Sequence, residues 1–180
     1  WSDIGTTTAV SFTDKNVKSG TAYSYTVRCI SSNGKIYTSG FDAAGKKITF
    51  LSAPVTSSVY VNNAGAVIKW NKVKGAAKYR VSYKTGNGGY VKLTDTTSTS
   101  YTWSGAKIGN KYTFTVRCLS SDGKNCTSAY NQGKEITVLS MPGISSIRAV
   151  NSGTQINWTK VSGAENYKMF RKAGNGAWSI

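Results

Sequence analysis

The stretch YSYTVRCISSNGKIYTS (residues 23–39) returns as YTFTVRCLSSDGKNCTS at 112–128, and the echo runs along the whole chain. Trp70 recurs as Trp158, Gly75 and Ala76 as Gly163 and Ala164, Tyr79 as Tyr167 and Pro54 as Pro142, all 88 residues apart. Gly20, Tyr23, Val27, Arg28, Cys29 and Gly34 recur 89 residues on as Gly109, Tyr112, Val116, Arg117, Cys118 and Gly123. The one-residue difference falls where FDAAGK (41–46) meets YNQGK (130–134), which reads as a loop insertion. Solenoid units repeat every 20–50 residues or so, roughly half this period or less, so each period here is a small domain.

Within a period the pattern is alternation. Tyr79, Val81 and Tyr83 interleave with Lys78, Arg80, Ser82 and Lys84, and Tyr112, Phe114, Val116 and Cys118 with Thr113, Thr115 and Arg117. Such period-two patterning describes strands with one buried and one wet face. Asn-Gly, Asp-Gly and Gly-Gly pairs separate the runs at the spacing of a sandwich. No stretch carries a helical period. The 19 glycines, against two prolines, suit short strands and tight turns. The chain is read as all-β.

Several function classes fall away on composition. Histidine is absent, which removes Ser-His-Asp and Cys-His catalysis. Three cysteines with no CxxC pair and no histidine leave no zinc site. The seven carboxylates (Asp3, Asp14, Asp42, Asp95, Asp122, Glu135, Glu165) are dispersed, with no pair spaced to face one substrate. TGNGGY (85–90) and AGNGAW (173–178) are glycine-rich but join two strands with no helix following, so they make no phosphate cradle. The expectation is a chain that is not an enzyme and uses no cofactor or metal. No apolar run reaches the roughly 18 residues of a membrane span.

The net charge is +16, from 23 Lys and Arg against seven Asp and Glu. That favours anionic partners and opposes self-association. The basic residues are scattered singly, as the outward positions of strands would be, which argues against nucleic acid. An evenly solvated coat is the plainer alternative.

The pattern W-x-x-V-x-G-A-x-x-Y-x-V (70–81), followed by G-x-x-Y-x-F-x-V-x-C (109–118), resembles the fibronectin type III fold. It is most similar to the tandem versions in secreted and surface proteins of Gram-positive bacteria. The resemblance covers the whole chain. It implies Ig-like β-sandwich repeats in tandem, with Trp70 and Trp158 as the core Trp of strand B. It also implies tyrosine corners at Tyr23 and Tyr112, where a buried hydroxyl finds a partner such as a backbone carbonyl at the E–F crossover. Repeat two departs from repeat one at WSGAKIGNKY (103–112), which leaves Trp103 outside the family pattern. On this scheme residues 1–51 are the second half of one repeat (strands C′ to G), 52–140 a complete repeat, and 141–180 the first half of a third (strands A to C).

Cys29 and Cys118 fall at inward positions of strand F, where a small apolar residue fits. Cys126 can bridge Cys118 across the hairpin or stay reduced; repeat one has Tyr37 at that position and no bridge. Aromatic residues give one binding hint. Trp1, Tyr90 and Trp178 share the position after the glycine-rich turn, with Trp103 nearby in sequence. They suit stacking on sugars or anchoring a protein, against a plainer role packing on a sheet edge. Lys78, Arg80, Lys84 and Arg117 give the second hint, as one outer face of neighbouring strands C and F.

The reading is a non-catalytic spacer from a bacterial surface or secreted protein, placed at the cell wall or outside the cell. Its partners are neighbouring repeats. The alternative is an adhesin or accessory module recognising a host protein such as an immunoglobulin, or an anionic cell-wall or host glycan. The two half-repeats raise a further choice. Either 141–180 of one copy completes 1–51 of the next, in a head-to-tail filament, or each is completed by chain beyond the sequence given.

Overall fold

The computed structural model describes residues 1–120 and 128–176. Cys126 and Trp178, with the bridge and ring contacts considered for them, lie outside the described residues. The elements are all strands: β1 (Thr21–Tyr25), β2 (Lys46–Phe50), β3 (Thr56–Asn62), β4 (Gly65–Trp70), β5 (Lys78–Lys84), β6 (Val91–Thr96), β7 (Ser100–Trp103), β8 (Lys111–Leu119), β9 (Lys134–Thr137), β10 (Ile144–Val150) and β11 (Gly153–Trp158). Every pairing is antiparallel.

Seven of these strands make the central sandwich. One sheet has the order β3-β4-β7 and the other β6-β5-β8-β9. Alternation along β5 and β8 turns Tyr79, Val81, Tyr112, Phe114, Val116 and Cys118 inward, onto Ala66, Ile68 and Trp70 of β4. Trp70 is 3% exposed and meets Tyr79 edge-on, with ring centroids 5.6 Å apart. Its indole Nε1 has no hydrogen-bond partner among the described residues. The Tyr79 hydroxyl accepts a bond from the Val73 N–H at 2.9 Å, which ties the loop after β4 to the core.

The flanking units repeat this local geometry. In the first, Tyr23 pairs Ile48, as Tyr112 pairs Ile136 in the central unit. In the third, Ile144 pairs Trp158 with a register shift before Ser146, as Thr56 pairs Trp70 with a shift before Ser58. The Tyr167 hydroxyl accepts from the Val161 N–H at 2.8 Å, repeating the Tyr79 bond. Both tyrosine corners close, but on a donor instead of a carbonyl. The phenol oxygens of Tyr23 and Tyr112 accept from the N–H groups of Lys18 (2.9 Å) and Lys107 (3.1 Å). The corner of repeat two thus forms despite its divergent sequence, helped by Asn110 Nδ2, which also donates to Tyr112.

Cys29 corrects an expectation. It holds the strand F position of buried Cys118 but is exposed. An inward position is dry only where an opposing sheet covers it, and among the described residues the first unit contributes the β1–β2 ladder and an isolated Ile30–Tyr37 bridge, with no opposing sheet.

The first and central units meet at a close joint. Leu51, just after β2, is buried in the central core. The Ser19 hydroxyl donates to the Lys74 carbonyl and accepts from the Ser52 N–H, both at 3.1 Å. Gly75, at φ +84°, sits where a Cβ would lie 2.5 Å from the Gly20 Cα, so a side chain there would force the units apart. At the next joint Gly163 lies against Leu139, while Gly109, the counterpart of Gly20, faces open space.

Candidate functional site

The outer face of the β6-β5-β8-β9 sheet gathers most of the side chains singled out for binding. The β5–β8 register sets Arg80 directly opposite Arg117 and Lys84 opposite Thr113. Like charges facing across a ladder repel, and the structure offsets the repulsion differently on each strand. Arg80 grips Asp95 of β6 through Nε and Nη2 at 2.9 and 3.0 Å, and Lys92 adds a bond to the same carboxylate at 2.7 Å. The Arg80 hydrogen bonds are the main reason the Asp95 carboxyl is held down to about 2. Arg80 is therefore engaged within the fold. Lys78 stands exposed at the start of β5.

Arg117 has a different partner. Its guanidinium carbon sits 4.3 Å from the centre of the Tyr130 ring, while its Nε donates to the Ser128 carbonyl at 2.9 Å. Tyr130 stacks on Tyr90, with centroids 4.9 Å apart and planes 20° from parallel. Lys84 Nζ lies 5.5 Å from the Tyr90 ring. The four side chains form a ladder of cation, ring, ring and cation.

The segment after residue 127 is held against β8 by side-chain bonds. The Ser128 hydroxyl accepts from the Cys118 N–H at 2.9 Å. Asn131 Oδ1 accepts from the Thr115 hydroxyl at 2.8 Å, and Asn131 Nδ2 donates to Thr56 Oγ1 of the other sheet at 2.7 Å. Between them Tyr130 is presented 44% exposed. Beneath this face, burial pushes the Cys118 thiol up to about 11, against the opposing pull of Ser128.

The first unit builds a related arginine–ring cluster from different rings. Arg28, the counterpart of Arg117, lies 3.4 Å from the Tyr37 ring centre and 5.4 Å from Phe41. Phe41, the counterpart of Tyr130, meets Trp1, the counterpart of Tyr90, edge-on at 6.2 Å. The Ser39 hydroxyl accepts from the Cys29 N–H at 2.8 Å, as Ser128 does for Cys118. The candidate residues Tyr90, Lys84 and Arg117 thus belong to one cluster, and Trp1 to a related one that shares the arginine and two ring positions. Tyr130, Phe41, Tyr37 and Arg28 complete them and were not singled out from the sequence. The signal for Phe41 and Tyr130 was present, since they are 89 residues apart and both aromatic, but they sit beside the loop insertion.

Trp103 lies elsewhere. It stacks on Tyr83 at 4.5 Å and meets Tyr112 and Phe114 edge-on at 5.1 and 6.0 Å, packed against the core. Beside it an open cleft of about 280 Å³ is lined by residues including Lys84, Lys107 and Asn110. In the first unit its counterpart is Asp14, which accepts from the Tyr25 hydroxyl at 3.0 Å.

The central sandwich matches known proteins. Residues 61–128 match the family described as the PBP1-like, fibronectin3-like domain. The central unit is a fibronectin type III-like domain. A fibronectin type III-like protein from Clostridium thermocellum is 30% identical over 46% of this chain and 86% of that one, with a TM-score of 0.36. A human fibronectin type III domain is 16% identical over 65% of this chain and 85% of that one, with a TM-score of 0.41. Among curated proteins, exoglucanase B of Cellulomonas fimi is 26% identical over 94% of this chain. The chain spans only 18% of the length of that relative.

Proposed function

We propose that the chain is a run of non-catalytic fibronectin type III-like units that space and join the parts of a longer extracellular protein. The joint between the first and central units carries this reading. Leu51 is buried in the core of the unit that follows it, and Ser19 bridges Lys74 to Ser52. A connection packed in this way transmits position from one unit to the next, where a polar linker would let them swing. The match to a small share of exoglucanase B supports a part built into something larger. A protein acting on a glucan polymer works where the polymer is, outside the cell.

Limited proteolysis tests the joint. Residues 51–55 should resist thermolysin about as well as the central strands, and the exposed 85–89 turn should be cut first. Faster cutting at 51–55 would show a loose tether and overturn the spacer reading. Release of reducing ends from a β-glucan by the purified chain would overturn the non-catalytic one.

A further inference from the structure

The repeated arginine–ring contact goes beyond a spacer role, because a spacer gains nothing from an unpaired cation on an exposed face. In the central unit Arg80 is neutralised by Asp95, yet Arg117, directly opposite, has no carboxylate partner among the described residues. Arg28 in the first unit likewise has none. Each arginine instead lies over aromatic rings. Stacking occupies the flat face of a guanidinium and fixes its plane. The donors at its edge stay free to form a two-bond fork with an oxyanion. The Arg117 Nε bond to the Ser128 carbonyl fixes one edge and leaves the two terminal nitrogens.

The first unit repeats the contact with other rings: Arg28 lies over Tyr37 and Phe41, and Phe41 meets Trp1 edge-on. Its rings differ from those of the central unit (Trp1, Tyr37 and Phe41 against Tyr90 and Tyr130), while the arginine is the same. What the two units share is a guanidinium lying over exposed ring surface.

We propose that Arg117 and Arg28 are pre-set oxyanion forks that take the carboxylates of an acidic polysaccharide along the tandem units. The net charge of +16 supplies long-range attraction for a polyanion. The partly exposed rings of Tyr130 and Phe41, 44% and 42% in solvent, offer apolar surface to the C–H faces of a sugar, which a bare polyphosphate cannot use. One fork per unit suits a ligand whose acidic groups repeat, so that two weak contacts add through linkage.

Calorimetry on the full 180-residue chain tests this with decagalacturonate, a polyphosphate of matched charge and a single-stranded DNA decamer, at about 0.15 M salt to suppress unspecific attraction. Decagalacturonate should bind tightest. Arg117→Lys and Arg28→Lys keep the charge but lose the planar fork, and each should weaken binding about 5–10-fold. Lys69→Gln, on the other sheet, should change it less than about twofold. Among the described residues the Arg28 side chain makes no hydrogen bond, so its variant tests the fork even if Arg117→Lys disturbs the Ser128 contact. Unchanged affinity in both arginine variants, or equal loss with Lys69→Gln, would reduce the attraction to diffuse charge and overturn the proposal. Polyphosphate or DNA binding as tightly as decagalacturonate would overturn the polysaccharide assignment.

Discussion

Val116 and Val27 stand in the same phrase, TVRC, 89 residues apart; one is fully buried and the other 87% exposed. Cys118 and Cys29 divide in the same way. Yet the bonds made close to those residues are the same in both units. Ser128 and Ser39 each accept from the cysteine N–H, and Tyr112 and Tyr23 each accept from an N–H five residues back. Turns, corners and hairpin register are settled by neighbours in sequence, so they survive wherever the phrase is written. Burial is settled by a partner sheet from a distant part of the chain. The difference between the units measures what the second sheet adds.

Substitution at the paired tryptophans should break the comparison most visibly. Trp70→Ala should cost the central unit about 3–5 kcal/mol, read as a fall in its melting transition, while Trp158→Ala in the third unit should cost under about 1 kcal/mol. Equal effects would mean that the third unit also has a packed core in solution. Trp70→Phe should cost much less than the alanine change, because the indole N–H makes no bond among the described residues.

Thiol labelling sharpens the contrast without mutating a core. With peptide mapping at pH 8, iodoacetamide should alkylate exposed Cys29 about 100-fold faster than Cys118, which is both buried and held up to about 11. Similar rates would show the central sandwich opening as easily as the first hairpin.

Acid should produce the smallest effect, and only in the central unit. Asp95 has its folded value depressed to about 2, so its contribution is present above the ordinary carboxylate range. That contribution is lost as pH falls from about 4 through about 2. Asp95→Asn should flatten this part of the stability–pH curve. The first unit has Thr6 at the matching position and should show no such step. A curve unchanged by the substitution would mean that the Arg80–Asp95 pair does not couple to folding.

The sandwich was largely legible in the chain. Two-residue alternation in 78–84 and 111–119 is enough to turn one set of side chains inward, and the repeat marks where a unit starts again. Cys29 shows where such reading stops, because alternation says which face a residue points to and is silent on whether that face is covered. The direction of the tyrosine-corner bonds was also beyond reach, since a phenol oxygen both donates and accepts. Of the candidate site, the shared face of Arg80 and Arg117 followed from strand adjacency. That Arg80 is occupied by Asp95 while Arg117 rests on Tyr130 depends on the β6 register and on the path of 128–131, which no local pattern encodes.

The joint at Gly75 has a consequence for how such a chain can grow. At the first joint the glycine that permits close approach is Gly75 and the leucine that enters the next core is Leu51; their counterparts Gly163 and Leu139 stand one period on, where Leu139 is half-buried and Gly109 faces open space. A tandem duplication of one period in the coding sequence therefore carries the residue types of both halves of the connection, and the two joints show that the packing between them can still differ. Recombination in register between two periods would lengthen or shorten the protein by whole units. On the spacer reading proposed above, copy number would then be a heritable setting of reach.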